Sequence, residues 1–178
     1  MKLLVVVDMQ NDFLTGALRN EEGIKIIPNV IEEINNASDD TVVVATVDTH
    51  FEGTYLNTQE GKKLPIPHCI FGTEGWYVQP DIENAIRNKT FKTFIQKNSF
   101  GLYDWPKMLK EYVKFTQFEE IELIGVCTDI CIPSNALILK ALYPETPIKV
   151  KESCCAGTTK ENHDHAIATM RSCQIEII

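Results

Sequence analysis

The sequence predicts an α/β fold: three layers, α/β/α, around a mostly parallel six-stranded sheet of Rossmann-like type. Three observations lead there. Strand-like and helix-like segments alternate from end to end, a pattern that right-handed crossovers turn into a parallel sheet with helices on both faces. The strand-like segments LLVVV and TVVVATV are unbroken apolar runs, as expected of strands covered on both sides. The 178 residues are 44% hydrophobic and 24% charged, enough to bury one core. With no repeat, linker or low-complexity tract, residues 1–178 read as a single domain.

Residues 3–7 form the first predicted strand, ending in Asp8. Residues 28–37 (PNVIEEINNA) carry Val30, Ile31 and Ile34 at helical spacing, with Pro28 suited to a first turn. Residues 41–47 are the second strand. The stretch 48–79, rich in Gly and Pro, is too long for an ordinary connection, and such loops are usually functional. A short helix over 81–87, a strand over 90–96 and a helix over 105–115 follow. Then come a strand over 120–125, a helix over 129–142, a strand over 147–151, a helix over 159–172 and a closing strand over 174–178.

Composition excludes several function classes. Seventeen Lys and Arg against 25 Asp and Glu give a net charge of −8, the wrong sign for a nucleic-acid or anionic-membrane partner. No apolar run approaches the roughly 20 residues of a membrane span, and Met1-Lys2 leads into a strand without a signal-peptide core. A cytoplasmic chain is expected, with its six cysteines reduced. Cys69, Cys154, Cys155 and Cys173 read as packing residues, and no C-x-x-C pair suggests a zinc ribbon or a thioredoxin-like site. Neither a dinucleotide fingerprint nor a P-loop is present, and His163 and His165, two apart on a helix, read as solvent-exposed.

In open parallel sheets, ligands bind beyond the carboxyl ends of the strands. There the sequence places Asp8, Asp48, Lys97 and, after GVCTDICI, Cys131. A thiol at a helix N-terminus is favoured as thiolate by free backbone N–H groups, which also suit a developing oxyanion. No histidine adjoins these ends outside the long loop, so Asp8 is the candidate base and Lys97 the charge that steadies it. Spacing alone leaves Cys131 as either such a nucleophile or a buried helix-start thiol. A redox pair of Cys127 and Cys131 is a further reading, as is a non-catalytic scaffold, against which the set of Asp8, Lys97 and Cys131 speaks. The long loop adds Asp48-x-His50, Glu60 and His68, donor types that suit Zn²⁺, Fe²⁺ or Mn²⁺, or else simply solvated loop residues.

Taken together, VVVDMQNDF, VDTH, PHCIFGTEG, FIQKNSF and GVCTDICI, in that order, resemble the isochorismatase-like cysteine hydrolases. D-x-H and P-H-C are similar to the nicotinamidase (pyrazinamidase)-like branch. The resemblance implies a triad of Asp8, Lys97 and Cys131 that hydrolyses nicotinamide to nicotinate and ammonia through a thioester, in NAD salvage. It implies a cis peptide before Cys127, with backbone N–H groups of Cys127 and Cys131 forming the oxyanion hole. It implies one divalent metal ion, zinc foremost and Fe²⁺ or Mn²⁺ otherwise, on Asp48, His50, His68 and a variable third ligand, assigned to Glu60. Phe13 would wall the substrate pocket, with Phe100 or Tyr103 lining it. Where that branch carries an aromatic just before its Pro-Pro-His, this chain has Leu64-Pro65-Ile66-Pro67-His68, so the second wall is missing or comes from Trp76, Tyr55 or another loop aromatic. A homo-oligomer, dimer or tetramer, is also implied. The alternative is another amidohydrolase of the family, acting on a different small amide or ureido compound, without metal.

Overall fold

A computed structural model describes residues 1–110 and 118–178. Six strands form one sheet: β1 (Lys2–Val7), β2 (Val42–Asp48), β3 (Phe91–Lys97), β4 (Glu120–Val126), β5 (Ile148–Ala156) and β6 (Glu176–Ile177). Their order is β3-β2-β1-β4-β5-β6, and every pairing is parallel. The expected mostly parallel sheet is therefore wholly parallel among the described residues. Among the described residues, helices α1 (Asn11–Leu14), α2 (Glu21–Lys25), α3 (Ile27–Asn36), α4 (Gln59–Lys63), α5 (Pro80–Arg87), α6 (Trp105–Leu109), α7 (Cys131–Leu142) and α8 (Lys160–Ser172) accompany the sheet. The part of the helix expected over 105–115 that falls on 111–115 lies outside the described residues.

Alternation along the central strands makes the two cores. Leu3, Val5 and Val7 of β1 face Trp105, Leu109, Ile132, Leu139 and Met170 of α6, α7 and α8. Leu4 and Val6 face the other way, onto Val30 and Ile34 of α3 and Ile82 and Ile86 of α5. Both faces of β1 and β2 are buried, which is why their sequences show no polar alternation. Burying side chains of this size contributes about 1.5–3 kcal/mol each before the entropy of ordering them is subtracted.

The strand order reverses between β1 and β4, and there the sheet opens a crevice at its carboxyl edge. Gly125 sits beside that crevice at φ +118°, and a Cβ on it would meet the Val7 carbonyl oxygen at 2.2 Å. Only glycine lets β4 approach β1 this closely just before the chain turns into the site.

The sequence reading missed short elements. Among them are α1 and α2, two 3-10 turns (Tyr55–Asn57 and Glu74–Trp76) and α4, the last three all inside the long loop. The fifth strand runs on through Ser153-Cys154-Cys155-Ala156, well past Lys151. Among the described residues, no helix is long and apolar enough to cross a membrane.

Candidate active site

Asp8 leaves β1 with φ +49°, a left-handed backbone that turns its carboxylate into the crevice. It is wholly buried, and Thr46 on β2 donates its hydroxyl to Asp8 Oδ1 at 2.7 Å. Lys97, the last residue of β3, reaches across β2 and places Nζ 2.7 Å from Asp8 Oδ2 and 3.8 Å from Cys131 Sγ. It also lies 3.6 Å from Asp48 Oδ1, its register partner at the end of β2. Cys131 opens α7, where the first N–H groups have no acceptor within the helix. The Val126–Cys127 peptide is cis, as the resemblance implied. Asp8, Lys97 and Cys131 are thus brought together from three strand ends, all of them buried.

Burial dominates the electrostatics. It pushes the Cys131 thiol well above its ordinary range, and the Asp8 charge adds to this while Lys97 opposes it. Burial thus opposes the thiolate that the helix terminus favours, so a base near the thiol has a proton to take. Asp8 is raised as well, first by burial and then by Asp48, against the pull of Lys97. Burial would lower Lys97, but the charges of Asp8, Cys131 and Asp48 outweigh it and hold the ammonium charged. A base with raised pKa beside a protonated thiol and a fixed cation is an arrangement suited to moving one proton.

The second constellation is assembled by the long loop folding back on itself. A parallel bridge joins His50 to Ile70, with His50 N donating to Cys69 O and Phe71 N to His50 O. That return brings His68 beside His50, their ring centres 4.9 Å apart. Helix α4 adds Glu60: Thr58 caps it by accepting from Gly61 N, and Gly61 itself leaves no room for a Cβ, which would meet Tyr55 O at 2.1 Å. Donor atoms of Asp48, His50, Glu60 and His68 all lie within 4.8 Å of one another. His68 Nδ1 is 2.9 Å from the Ile66 carbonyl and donates to it, so Nε2 faces the cluster, 3.6 Å from Asp48 and 3.5 Å from Glu60. His50 Nε2 is buried without a hydrogen-bond partner, though Asp48 Oδ2 is 3.0 Å away.

Charge in this cluster is lopsided toward the negative. Burial would raise Asp48, yet the His50 and His68 imidazoles close beside it and the Lys97 charge keep it below the usual carboxylate range. His68 is pushed up to about 10, because its hydrogen bonds to Asp48 and Glu60 outweigh burial. An orphaned imidazole nitrogen, a second one held facing it and two carboxylates make a mixed N/O set that fits one divalent cation.

One nine-residue segment holds both constellations, and this the sequence reading missed. Gln10 is wholly buried; its amide donates to Asp48 O at 2.9 Å and Trp76 O at 2.8 Å, and its oxygen accepts from Asp48 N at 2.7 Å. Asp12 accepts from Cys69 N at 2.7 Å, fixing the residue after His68 in a left-handed conformation. Phe13 lies edge-on to His68 at 5.5 Å. The signal was present, since polar Gln10 and Asp12 follow directly on a buried strand, but their partners are 38 and 57 residues away.

A cavity of about 1010 Å³ joins the two constellations, lined among others by Phe13, Asp48, Glu60, His68, Phe100 and Cys131. Tyr103, expected with Phe100 at the pocket, is 79% exposed and lies outside this lining. Trp76 and Tyr55 also lie outside it; Trp76 donates instead to Thr49 Oγ1, and Leu64 stands in the wall. His163, read as exposed, is half-buried against Thr128, while His165 is exposed as expected.

Known proteins resemble this chain in sequence and fold. The model of the isochorismatase domain matches residues 2–178. Nicotinamidase/pyrazinamidase of Mycobacterium tuberculosis is 24% identical over 185 residues, covering 100% of this chain and 98% of that protein. The crystal structure of the Streptococcus mutans pyrazinamidase/nicotinamidase superposes with a TM-score of 0.83 at 25% identity, over the full length of both chains. That of Pyrococcus horikoshii pyrazinamidase in complex with zinc gives 0.76 at 26% identity, over 99% of this chain and 98% of the other. The chain therefore belongs to the isochorismatase domain family, in the amidohydrolase branch that holds its nicotinamidase and pyrazinamidase relatives.

Proposed function

We propose that this protein hydrolyses nicotinamide to nicotinate and ammonia, with Cys131 as nucleophile, Asp8 as proton carrier and Lys97 as the fixed cation. The observation that carries this reading is one cavity lined both by Cys131, which the buried Asp8 and Lys97 back, and by Asp48, Glu60 and His68 of the donor set. Asp8 takes the Cys131 proton, and the sulfur adds to the carboxamide carbon. Backbone N–H groups of Cys127 and Cys131 receive the oxyanion. Asp8 then gives its proton to the departing nitrogen, releasing ammonia and leaving a thioester. Water adds to that thioester as Asp8 accepts its proton, and the return of that proton to sulfur frees the carboxylic acid. Lys97 keeps the negative charge of the Asp8–Cys131 pair in place through both halves. Phe13 and Phe100 flank the substrate.

Asp48, His50, Glu60 and His68 would hold one divalent ion, zinc foremost, whose chemistry when bound is a Lewis-acid contact for a pyridine nitrogen. The zinc complex of the P. horikoshii relative supports this assignment. A second reading, a different small amide, is favoured by Leu64 in the cavity wall, which offers a pyridine ring no aromatic face. Ammonia release from nicotinamide, measured before and after metal removal and re-addition, tests the proposal. Metal-dependent turnover is expected; silence with metal bound would discard nicotinamide in favour of the second reading.

A further inference from the structure

His163, in the second turn of α8, has a task that neither constellation uses. It lines a separate, smaller cavity of about 490 Å³ with Glu152 and Lys160 rather than the one that holds Cys131. Its Nδ1 lies 2.9 Å from the hydroxyl of Thr128, a wholly buried residue. Glu152 Oε1 lies 3.7 Å from the other ring nitrogen. A carboxylate on that side favours the proton on Nε2, which leaves Nδ1 to accept from the Thr128 hydroxyl.

Thr128 sits between the two residues that matter most. Cys127 precedes it, and Cys131 follows three residues on. The backbone of Thr128 donates to Ala156 O at 2.9 Å, and its side chain goes to His163, so it is gripped from two directions. The neighbouring Asp129 is held by Thr158, through the backbone N–H at 2.8 Å and the hydroxyl, but that contact is solvent-exposed and correspondingly weaker. Cys127 O accepts from both Ile130 N and Ile132 N, so a shift of the segment at 128 passes into the start of α7.

We propose that His163 is a positioning residue for hydrolysis: by accepting the Thr128 hydroxyl it sets the orientation of residues 127–131, which carry the nucleophile and both oxyanion donors. This rests on the reading of Cys131 as nucleophile. Misplacing a nucleophile and its donors by a fraction of an ångström costs turnover more than binding, because the donors act mainly on the transition state.

The test compares His163→Leu, His163→Asn, Thr128→Val and the double variant His163→Leu/Thr128→Val in the metal-loaded protein. The asparagine carries a side-chain oxygen that can stand where Nδ1 stood. For ammonia release, His163→Leu and Thr128→Val should each lower kcat roughly tenfold with KM within about twofold, and Asn should recover most of the loss. The double variant should be no slower than either single, since both remove one bond. Independent, multiplicative losses overturn the proposal, as does unchanged kcat with a lowered urea midpoint, which would make the contact purely structural. Alkylation of Cys131 by iodoacetamide, followed by peptide mass spectrometry, needs no amide substrate. It should slow by about threefold or more in His163→Leu but not in His163→Asn. An unchanged or faster rate overturns the proposal, whatever amide the enzyme acts on.

Discussion

Gln10→Ala separates the organising segment from the reacting groups it holds. Gln10 touches neither Cys131 nor a metal-facing atom, yet it makes three hydrogen bonds, two to the backbone of Asp48 and one to Trp76 O. At about 1 kcal/mol net for each, its loss should cost about 3 kcal/mol of stability, the buried groups left behind being unable to reach bulk water. For a chain of this size that corresponds to a fall in melting temperature of roughly 6–12 °C. Asp48 would also lose the grip that fixes its carboxylate between His50, His68 and Lys97. Affinity for Zn²⁺, read by competition with a chromophoric chelator, should fall about 10- to 100-fold, the range typical when a ligand's support is removed. A Gln10→Ala protein with wild-type zinc affinity would refute the idea that this side chain positions the ligand set, whatever happened to its stability.

Other outcomes follow from the same geometry. Cys131→Ala should abolish ammonia release and leave the unfolding free energy from urea titration within about 1 kcal/mol, because only one small buried group is removed; retained turnover would exclude the thioester route. Asp8→Asn should lower kcat by about 10²- to 10⁴-fold, as loss of a proton carrier does. Because burial raises Asp8, the acid limb of kcat/KM should lie above the ordinary carboxylate range, with activity lost as pH falls through that raised value. A wild-type limb at or below pH 4, read from a kcat/KM profile, would contradict the assignment. Gly125→Ala would drive a methyl into the Val7 carbonyl at a φ that side chains rarely adopt, costing about 3 kcal/mol or more. An unchanged melting temperature would show that the β1–β4 crevice is looser than its close approach indicates.

Much of this protein is written locally in its sequence. Unbroken Val and Leu runs at 3–7 and 41–47 mark strands covered on both faces, because a buried parallel strand has no solvent side to record. Since such strands end where polar residues begin, Asp8, Asp48, Lys97 and Cys131 could be assigned to one rim before any fold was in hand. Glu60 was visible as a loop carboxylate, but its choice as the third ligand came only through the resemblance, because the capped turn that presents it depends on Gly61 fitting against Tyr55. Tertiary structure alone decided the rest. Desolvation, a property of the surroundings, opposes the thiolate that the helix terminus favours at Cys131. The partners of Gln10, Asp12 and His163 lie 38, 57 and 35 residues away, and no local pattern encodes a hydrogen bond across such a distance. Tyr103 and Phe100 are near neighbours in sequence, yet only Phe100 reaches the cavity, because which side of a turn a ring leaves from is set by what packs beneath it.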